Sequence, residues 1–298
     1  MPTEIITTQS EIANLKSEIS NESLAEKGFY WRERDAVKVL ICRALETAGF
    51  VNGFSTRGGG VSAFPENSLN LAGYDEDSAD NIRENRRRFL RVLADENEFR
   101  LASCWQVHGD EIRVVEDFEA AIDGDYKKDA LVSNAARVLI GVKTADCVPV
   151  LLGDPQTKSF AAIHAGWRGT VQAIVPKTIR LMREKYNVNP RDLIAAVGPA
   201  AGCENYEVGA DVIESFAQNF PENYQKYFKP TREHHALVNL HQANFDQLTN
   251  CGVAPENVFV APFCTIARTD LFFSYRKEKR IYGKTGRLMS VIGVSSKR

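Results

Sequence analysis

Two histidines and a cysteine stand where short apolar runs give way to small residues. His108 lies in Trp105-Gln106-Val107-His108-Gly109, Cys147 in Ala145-Asp146-Cys147-Val148-Pro149, and His164 in His164-Ala165-Gly166-Trp167-Arg168-Gly169. Imidazole nitrogen and thiolate sulfur bind borderline and soft metals, and three such ligands leave a tetrahedral Zn²⁺ one open position. A water held there loses its proton near neutral pH and becomes a nucleophile. The separations, 39 and 17 positions, are wider than the close pairs of structural zinc sites, so spacing alone does not single out a metal. The same residues admit a thiolate enzyme, with Cys147 as nucleophile, a histidine as its base and Asp146 as an orienting acid. Two histidines and a cysteine also describe a blue-copper centre, but Met1, Met182 and Met289 are all distant in sequence from them as axial ligands.

The elements that must position these residues are strands that end in turns. Val138 to Val142 is an apolar, β-branched run leading into the Asp-Cys pair, and Pro149 opens a second run. Phe160 to Ile163 reads as a short strand ending on His164, followed by an amphipathic helix at about 170–186. Lys38 to Ala48 fits strand or helix. Residues 80–94 form a surface helix whose Arg86-Arg87-Arg88 run is solvated, and Asp123-Gly124-Asp125 is a turn. Leu193 to Val197, Val258 to Ala261 and Leu288 to Val294 read as strands; Val212, Ile213 and Phe216 mark a helix, and Asn239 to Cys251 is another, stopped by Gly252. In Thr56-Arg57-Gly58-Gly59-Gly60-Val61-Ser62 the glycines permit positive φ and close approach of backbone N–H groups to an anion, with Arg57 as a charged fork; the competing reading is a plain hairpin. Strands and helices interleave without a regular period, which predicts one mixed α/β domain (α+β) over residues 28–298 with more than one sheet. Residues 1–27 read as a polar, loosely docked extension, with a helix starting near Gln9-Ser10-Glu11 and ending at Gly28.

Bulk composition excludes several classes. The chain has 298 residues, 44% hydrophobic and 26% charged, with a formal net charge of −2. That is a globular composition without the basic footprint of a nucleic-acid or anionic-membrane binder. No run approaches the roughly 20 apolar residues of a membrane span. The six cysteines form no C-x-x-C pair and the N-terminus shows no secretory signal, so reduced thiols and a cytoplasmic location are expected. Cys104, Cys203, Cys251 and Cys264 read as core or helix-end residues, and His234-His235 as a surface loop. Nothing in the sequence marks an oligomer interface.

From about Gly53 onward the sequence resembles the YfiH-type family, described as multicopper polyphenol oxidoreductases or laccase-like proteins, as purine nucleoside phosphorylases and, in one branch, as a peptidoglycan editing factor. The resemblance rests on the three motifs above together with Thr56-Arg57-Gly58-Gly59-Gly60-Val61-Ser62, Ser68-Leu69-Asn70-Leu71, Gly198-Pro199, Tyr206-Glu207-Val208-Gly209 and Phe272-Phe273-Ser274-Tyr275-Arg276. It implies a four-layer α-β-β-α fold and a zinc ion on His108, Cys147 and His164. It also implies phosphorolysis of adenosine, inosine and methylthioadenosine, with adenosine deamination as a second reaction. On that basis Cys147, Asp146, His108 and His164 are the catalytic candidates, Asp146 as proton shuttle. Arg57 or Arg168 would hold phosphate, and Asn70 and Ser274 ribose hydroxyls; the partners are a nucleoside and phosphate. Three alternatives remain: an amidase removing L-serine from UDP-MurNAc-L-serine, a copper-dependent polyphenol oxidase, and a non-enzymatic zinc-binding module. A coupled multi-copper centre lacks ligands, since only five histidines are present.

Overall fold

The computed structural model describes residues 19–64, 66–73, 77–95 and 98–295. In chain order the strands are β1 (Phe29–Arg34), β2 (Val37–Cys42), β3 (Val51–Ser55), β4 (Gly58–Ser62), β5 (Arg100–Trp105), β6 (Ile112–Val115), β7 (Asp123–Lys127), β8 (Ala130–Ser133), β9 (Val138–Thr144), β10 (Val148–Gly153), β11 (Phe160–Ala165), β12 (Ile194–Val197), β13 (Glu207–Val208), β14 (Phe228–Pro230), β15 (Ala236–Val238), β16 (Val258–Val260) and β17 (Leu288–Val294). The helices are α1 (Asn21–Glu26), α2 (Arg43–Thr47), α3 (Ala79–Leu93), α4 (Trp167–Val171), α5 (Ile174–Tyr186), α6 (Ala210–Asn219), α7 (Leu240–Asn250) and α8 (Tyr275–Tyr282).

A seven-stranded sheet runs β1-β2-β3-β17-β9-β5-β7, a six-stranded sheet β16-β12-β10-β11-β8-β6, and a small one β13-β15-β14. Both large sheets mix parallel and antiparallel pairs: β9 is antiparallel to β17 and parallel to β5, and β10 is antiparallel to β11 and β12 while β12 is parallel to β16. The period of two along each strand assigns its faces. Leu288, Ile292 and Val294 of β17, with Ile140 and Val142 of β9, meet Leu151, Phe160 and Ala162 of the other sheet. The opposite face carries Met289, Val291 and Leu139 against Phe89, Val92 and Leu93 of α3. On the far side of the second sheet, Val150, Leu152, Ala161 and Ile163 pack on Ile174, Ile179 and Met182 of α5 and Leu248 of α7. These three cores stack in the order helix, sheet, sheet, helix.

Several local expectations are corrected. Lys38 to Ala48 is both strand and helix: β2 ends at Cys42 and α2 starts at Arg43. Asp123 to Asp125 belongs to edge strand β7, paired with β5, not to a turn. The helix expected at 170–186 is two helices, α4 and α5, broken where Ala173 takes φ 60°. Arg86 is not on solvated surface: it is buried, pairs with Asp123 and donates to the Ala72 carbonyl. Residues 19–27 are not loosely docked, because Leu24 of α1 is fully buried in the inter-sheet core. The helix start near Gln9 to Glu11 lies outside the described residues. Among the described residues no helix is long and apolar enough to cross a membrane.

The glycine run settles as strand β4 rather than as an anion nest. Gly60 donates to Asn67, and a Cβ there would lie 2.0 Å from the Ser68 carbonyl oxygen. A Cβ on Gly58 would meet nothing within 4 Å. Gly60→Ala is therefore expected to lose about 2 kcal/mol or more of stability, and Gly58→Ala to stay within about 0.5 kcal/mol of the parent. Urea unfolding of the two variants checks this; equal losses would contradict it.

Candidate metal centre and its cleft

Strand ends converge at one rim of the inter-sheet core. Parallel pairing of β5 and β9 brings their C-terminal ends side by side, where the His108 loop and the Ala145-Asp146-Cys147 segment begin. That segment crosses from the first sheet to the second. Antiparallel pairing of β10 and β11, with Pro149 opposite His164, then brings Cys147 beside His164. The donor atoms of His108, Cys147 and His164 all lie within 4.8 Å of one another. Tetrahedral zinc with two nitrogen and one sulfur ligand has ligand-to-ligand edges of roughly 3.5 Å, so modest side-chain closure fits the set to one ion. Gly166 keeps the space open: a Cβ there would sit 3.0 Å from Cys147 Sγ.

Asp129 organises the set. Pairing of Ile163 with Ala130 across β11 and β8 places Asp129 opposite His164. Its carboxylate meets His164 Nδ1 at 2.8 Å and accepts the backbone N–H groups of Val107 (3.1 Å), His108 (2.9 Å) and Gly109 (2.8 Å). One fully buried acid thus leaves Nε2 of His164 for a metal and holds the loop carrying His108, which takes φ 60° there. Burial alone would raise Asp129; the hydrogen bond and charge of His164 and the backbone N–H groups hold it below the usual carboxylate range. Burial likewise opposes ionisation of Cys147, but the charge of His164 and hydrogen bonds from both histidines bring it down to about 6. Thiolate is the form that ligates. For His164 burial works downward, and the Cys147 charge and Asp129 outweigh it, setting it at about 9. Gln106 fixes the same loop from the other side, its side-chain amide exchanging two 2.7 Å hydrogen bonds with the Lys143 backbone.

Asp146, expected as an orienting acid or proton shuttle, is bound on both oxygens. Oδ1 accepts from the Thr265 hydroxyl (2.6 Å), and Oδ2 from the Ser274 hydroxyl (3.1 Å) and the Arg276 N–H (2.6 Å). Burial raises it against these donors, and its own φ is 87°. Ser274 is fully buried and caps α8 through the Lys277 N–H, so it does not face a ribose. Arg57 does not reach the cleft: it pairs with the buried Glu278 at 2.8 Å and donates to the Thr269 and Phe272 carbonyls. Asn70 Oδ1 accepts the Ala72 and Arg287 N–H groups. None of these three residues lines the cleft at the cluster; Arg57 lines a separate cleft of about 600 Å³ with Phe64, Lys277 and Tyr282.

The open side of the triad faces a cleft of about 540 Å³, within the range of small-molecule sites. Lys143, Arg168, Arg276 and Arg287 line it with Trp105, Trp167, Tyr206 and Tyr275; Asp146 is the one carboxylate among the lining residues. Arg276 stacks on Tyr206 and Arg168 on Trp167, at 4.8 and 4.3 Å from the ring centroids. α4 is too short for its dipole to matter, so Arg168 acts through its guanidinium. The wall is suited to an anion beside an aromatic body. Sequence reading missed Asp129, Lys143 and Arg287. An acid directly before the Ala-Leu-Val run of β8 was the available signal for the first. All five histidines are accounted for: His241 is half-buried with Nε2 3.3 Å from the Gly198 carbonyl, and His234 and His235 lie outside the cleft's lining.

Residues 51–295 match the family described as multi-copper polyphenol oxidoreductase laccase. The purine nucleoside phosphorylase YlmD of Geobacillus stearothermophilus is 33% identical over 270 residues, covering 88% of this chain and 96% of that protein. The Escherichia coli purine nucleoside phosphorylase YfiH is 32% identical over 264 residues, covering 86% and 98%. A Deinococcus radiodurans purine nucleoside phosphorylase is 38% identical over 245 residues, covering 81% and 88%. The crystal structure of a Bacillus licheniformis hypothetical protein YfiH superposes with a TM-score of 0.80 at 29% identity, over 89% of this chain and 98% of that one.

Asp129→Asn removes the charge and one acceptor while keeping the shape. It is expected to weaken metal binding about 10- to 100-fold, read by competition with a chromophoric chelator while circular dichroism stays unchanged. Unchanged affinity would show that the His164 orientation does not depend on this carboxylate.

Proposed function

The chain belongs to the YfiH/YlmD-like family, and from that premise we propose that it is a zinc-dependent purine nucleoside phosphorylase acting on adenosine, inosine and methylthioadenosine. The observation that carries the reading is a three-donor cluster opening on a cleft walled by four cations and four aromatic rings. A zinc ion held by His108, Cys147 and His164 would supply Lewis acidity at its open position. The side chains account for the remaining chemistry. Arg168 and Arg276, with Lys143 and Arg287 on the same cleft wall, hold a phosphate and keep its attacking oxygen oriented. The bond from that oxygen to C1′ of the ribose forms as the bond from C1′ to the purine nitrogen breaks, and the electron pair departs with the base. Trp105, Trp167 and Tyr275 offer flat apolar surface for the purine.

Deamination of adenosine fits this wall less well, since it needs a carboxyl to carry protons. Asp146 is the carboxylate on the wall, and both its oxygens are committed to Thr265, Ser274 and Arg276. A coupled copper centre needs further imidazoles, and the three other histidines are outside the cluster.

The test is hypoxanthine release from inosine by the zinc-loaded protein, with and without inorganic phosphate. The reading expects release only with phosphate, alongside ribose 1-phosphate; release without phosphate, or none, would overturn it. Arg168→Ala should raise the KM for phosphate about tenfold, with little change in the KM for inosine. In Cys147→Ala both the metal and turnover should be lost; stoichiometric zinc in that variant would remove Cys147 from the ligand set.

A further inference from the structure

A second cleft, of about 370 Å³, adjoins the metal cleft, and Tyr275 and Arg287 line both. Asn70, Lys279, Lys284 and Thr285 are among its other walls. Asn70 is only 5% exposed, and its Oδ1 accepts the Arg287 N–H at 2.8 Å and the Ala72 N–H at 3.2 Å. Two N–H donors on one oxygen fix which end of the amide is which. The NH₂ end is therefore left over, and it finds no hydrogen-bond partner among the described residues. The two lysines are exposed and form no ion pair among the described residues. Their contacts are ring faces: Lys279 Nζ lies 5.9 Å from the Tyr275 centroid and Lys284 Nζ 4.6 Å from that of Phe64. Asp77 is the one carboxylate among the described residues of this lining. It already accepts the Ser62 hydroxyl, the Ser78 N–H and the Asn81 amide. Three cations and an uncommitted amide thus face one occupied acid, which is a donor set for an anion.

We propose that this cleft is a subsite for a phosphate monoester on the substrate, so that the protein binds purine nucleoside 5′-phosphates in preference to the bare nucleosides. The inference rests on the phosphorylase reading of the first cleft. Arg168 and Arg276 line the first cleft and not the second; Lys279 and Lys284 line the second and not the first. The substrate has the same division. C1′, where the co-substrate phosphate attacks, and C4′, which carries C5′ and its phosphate, flank the ring oxygen of the ribose on opposite sides. The bond changes are those of the nucleoside reaction: the C1′–O bond forms, the C1′–N bond breaks and the electron pair leaves with the base. The ester at C5′ is untouched, so the product carries phosphate at both C1′ and C5′.

Calorimetric titration of the zinc-loaded, full-length protein with inosine 5′-monophosphate and with inosine tests this. The nucleotide is expected to bind about tenfold more tightly than the nucleoside. In the Lys279→Ala/Lys284→Ala double variant that margin should vanish, while inosine affinity and phosphate-dependent inosine turnover stay as in the parent. Asn70→Asp keeps the acceptor for the two N–H groups but replaces the donors with negative charge, and should turn the preference against the nucleotide. Equal affinities in the parent protein, or a nucleotide preference that survives both variants, would overturn the proposal and leave inosine turnover intact. A double variant that loses affinity for inorganic phosphate alone would assign the lysines to the co-substrate and also overturn it. Failure of the phosphorylase reading itself shows separately, as absence of inosine turnover in the parent.

Discussion

The site depends on one buried carboxylate. Asp129 meets His164 across a strand pair and draws in three successive N–H groups of the loop that carries His108. An unpaired acid at that depth would be strongly destabilising, so the loop's fold and the acid's ionisation sustain each other. Two ligands that come from distant parts of the chain are thereby fixed by a single partner. Cys147 joins them through strand register alone, since β10 starts where β11 ends.

A second carboxylate does for the opposite wall what Asp129 does for the ligands. Asp146 sits on the crossing between the two sheets and binds Thr265, Ser274 and the Arg276 backbone, all near the C-terminal end of the chain. Glu278 of α8 continues the network, accepting the Ser274 N–H at 2.9 Å and pairing with Arg57, whose guanidinium stacks on Phe273. The glycine run, the Ala-Asp-Cys motif and the Phe-Phe-Ser-Tyr-Arg motif are therefore parts of one support. What that support presents to the cleft is Tyr275 and Arg276.

Much of this was legible in the sequence, for identifiable reasons. Long apolar runs such as Leu288 to Val294 and Val138 to Val142 are buried on both faces and became central strands. His108, Cys147 and His164 were singled out by standing at strand ends, and the fold brings all three together. Roles were harder to read than positions. Arg57, Asn70 and Ser274 have side chains that suit a phosphate or a sugar, but partners more than 200 positions away hold Arg57 and the Asn70 carbonyl oxygen, and Asp146 holds Ser274. Polar groups leave no periodic trace of such distant pairing. β7 was missed for a related reason: Asp123-Gly124-Asp125 has turn composition, and it is strand because β5 offers it an edge and Arg86 pairs with Asp123.

The proposed chemistry requires an open, three-ligand metal centre at the floor of a cationic cleft. Anomalous diffraction at the zinc absorption edge from crystals of the zinc-loaded protein tests it most directly. One ion is expected on Nε2 of His164, on His108 and on Sγ of Cys147, with its fourth position open to the cleft. An ion bound elsewhere, or one closed off by a fourth protein ligand, would contradict it.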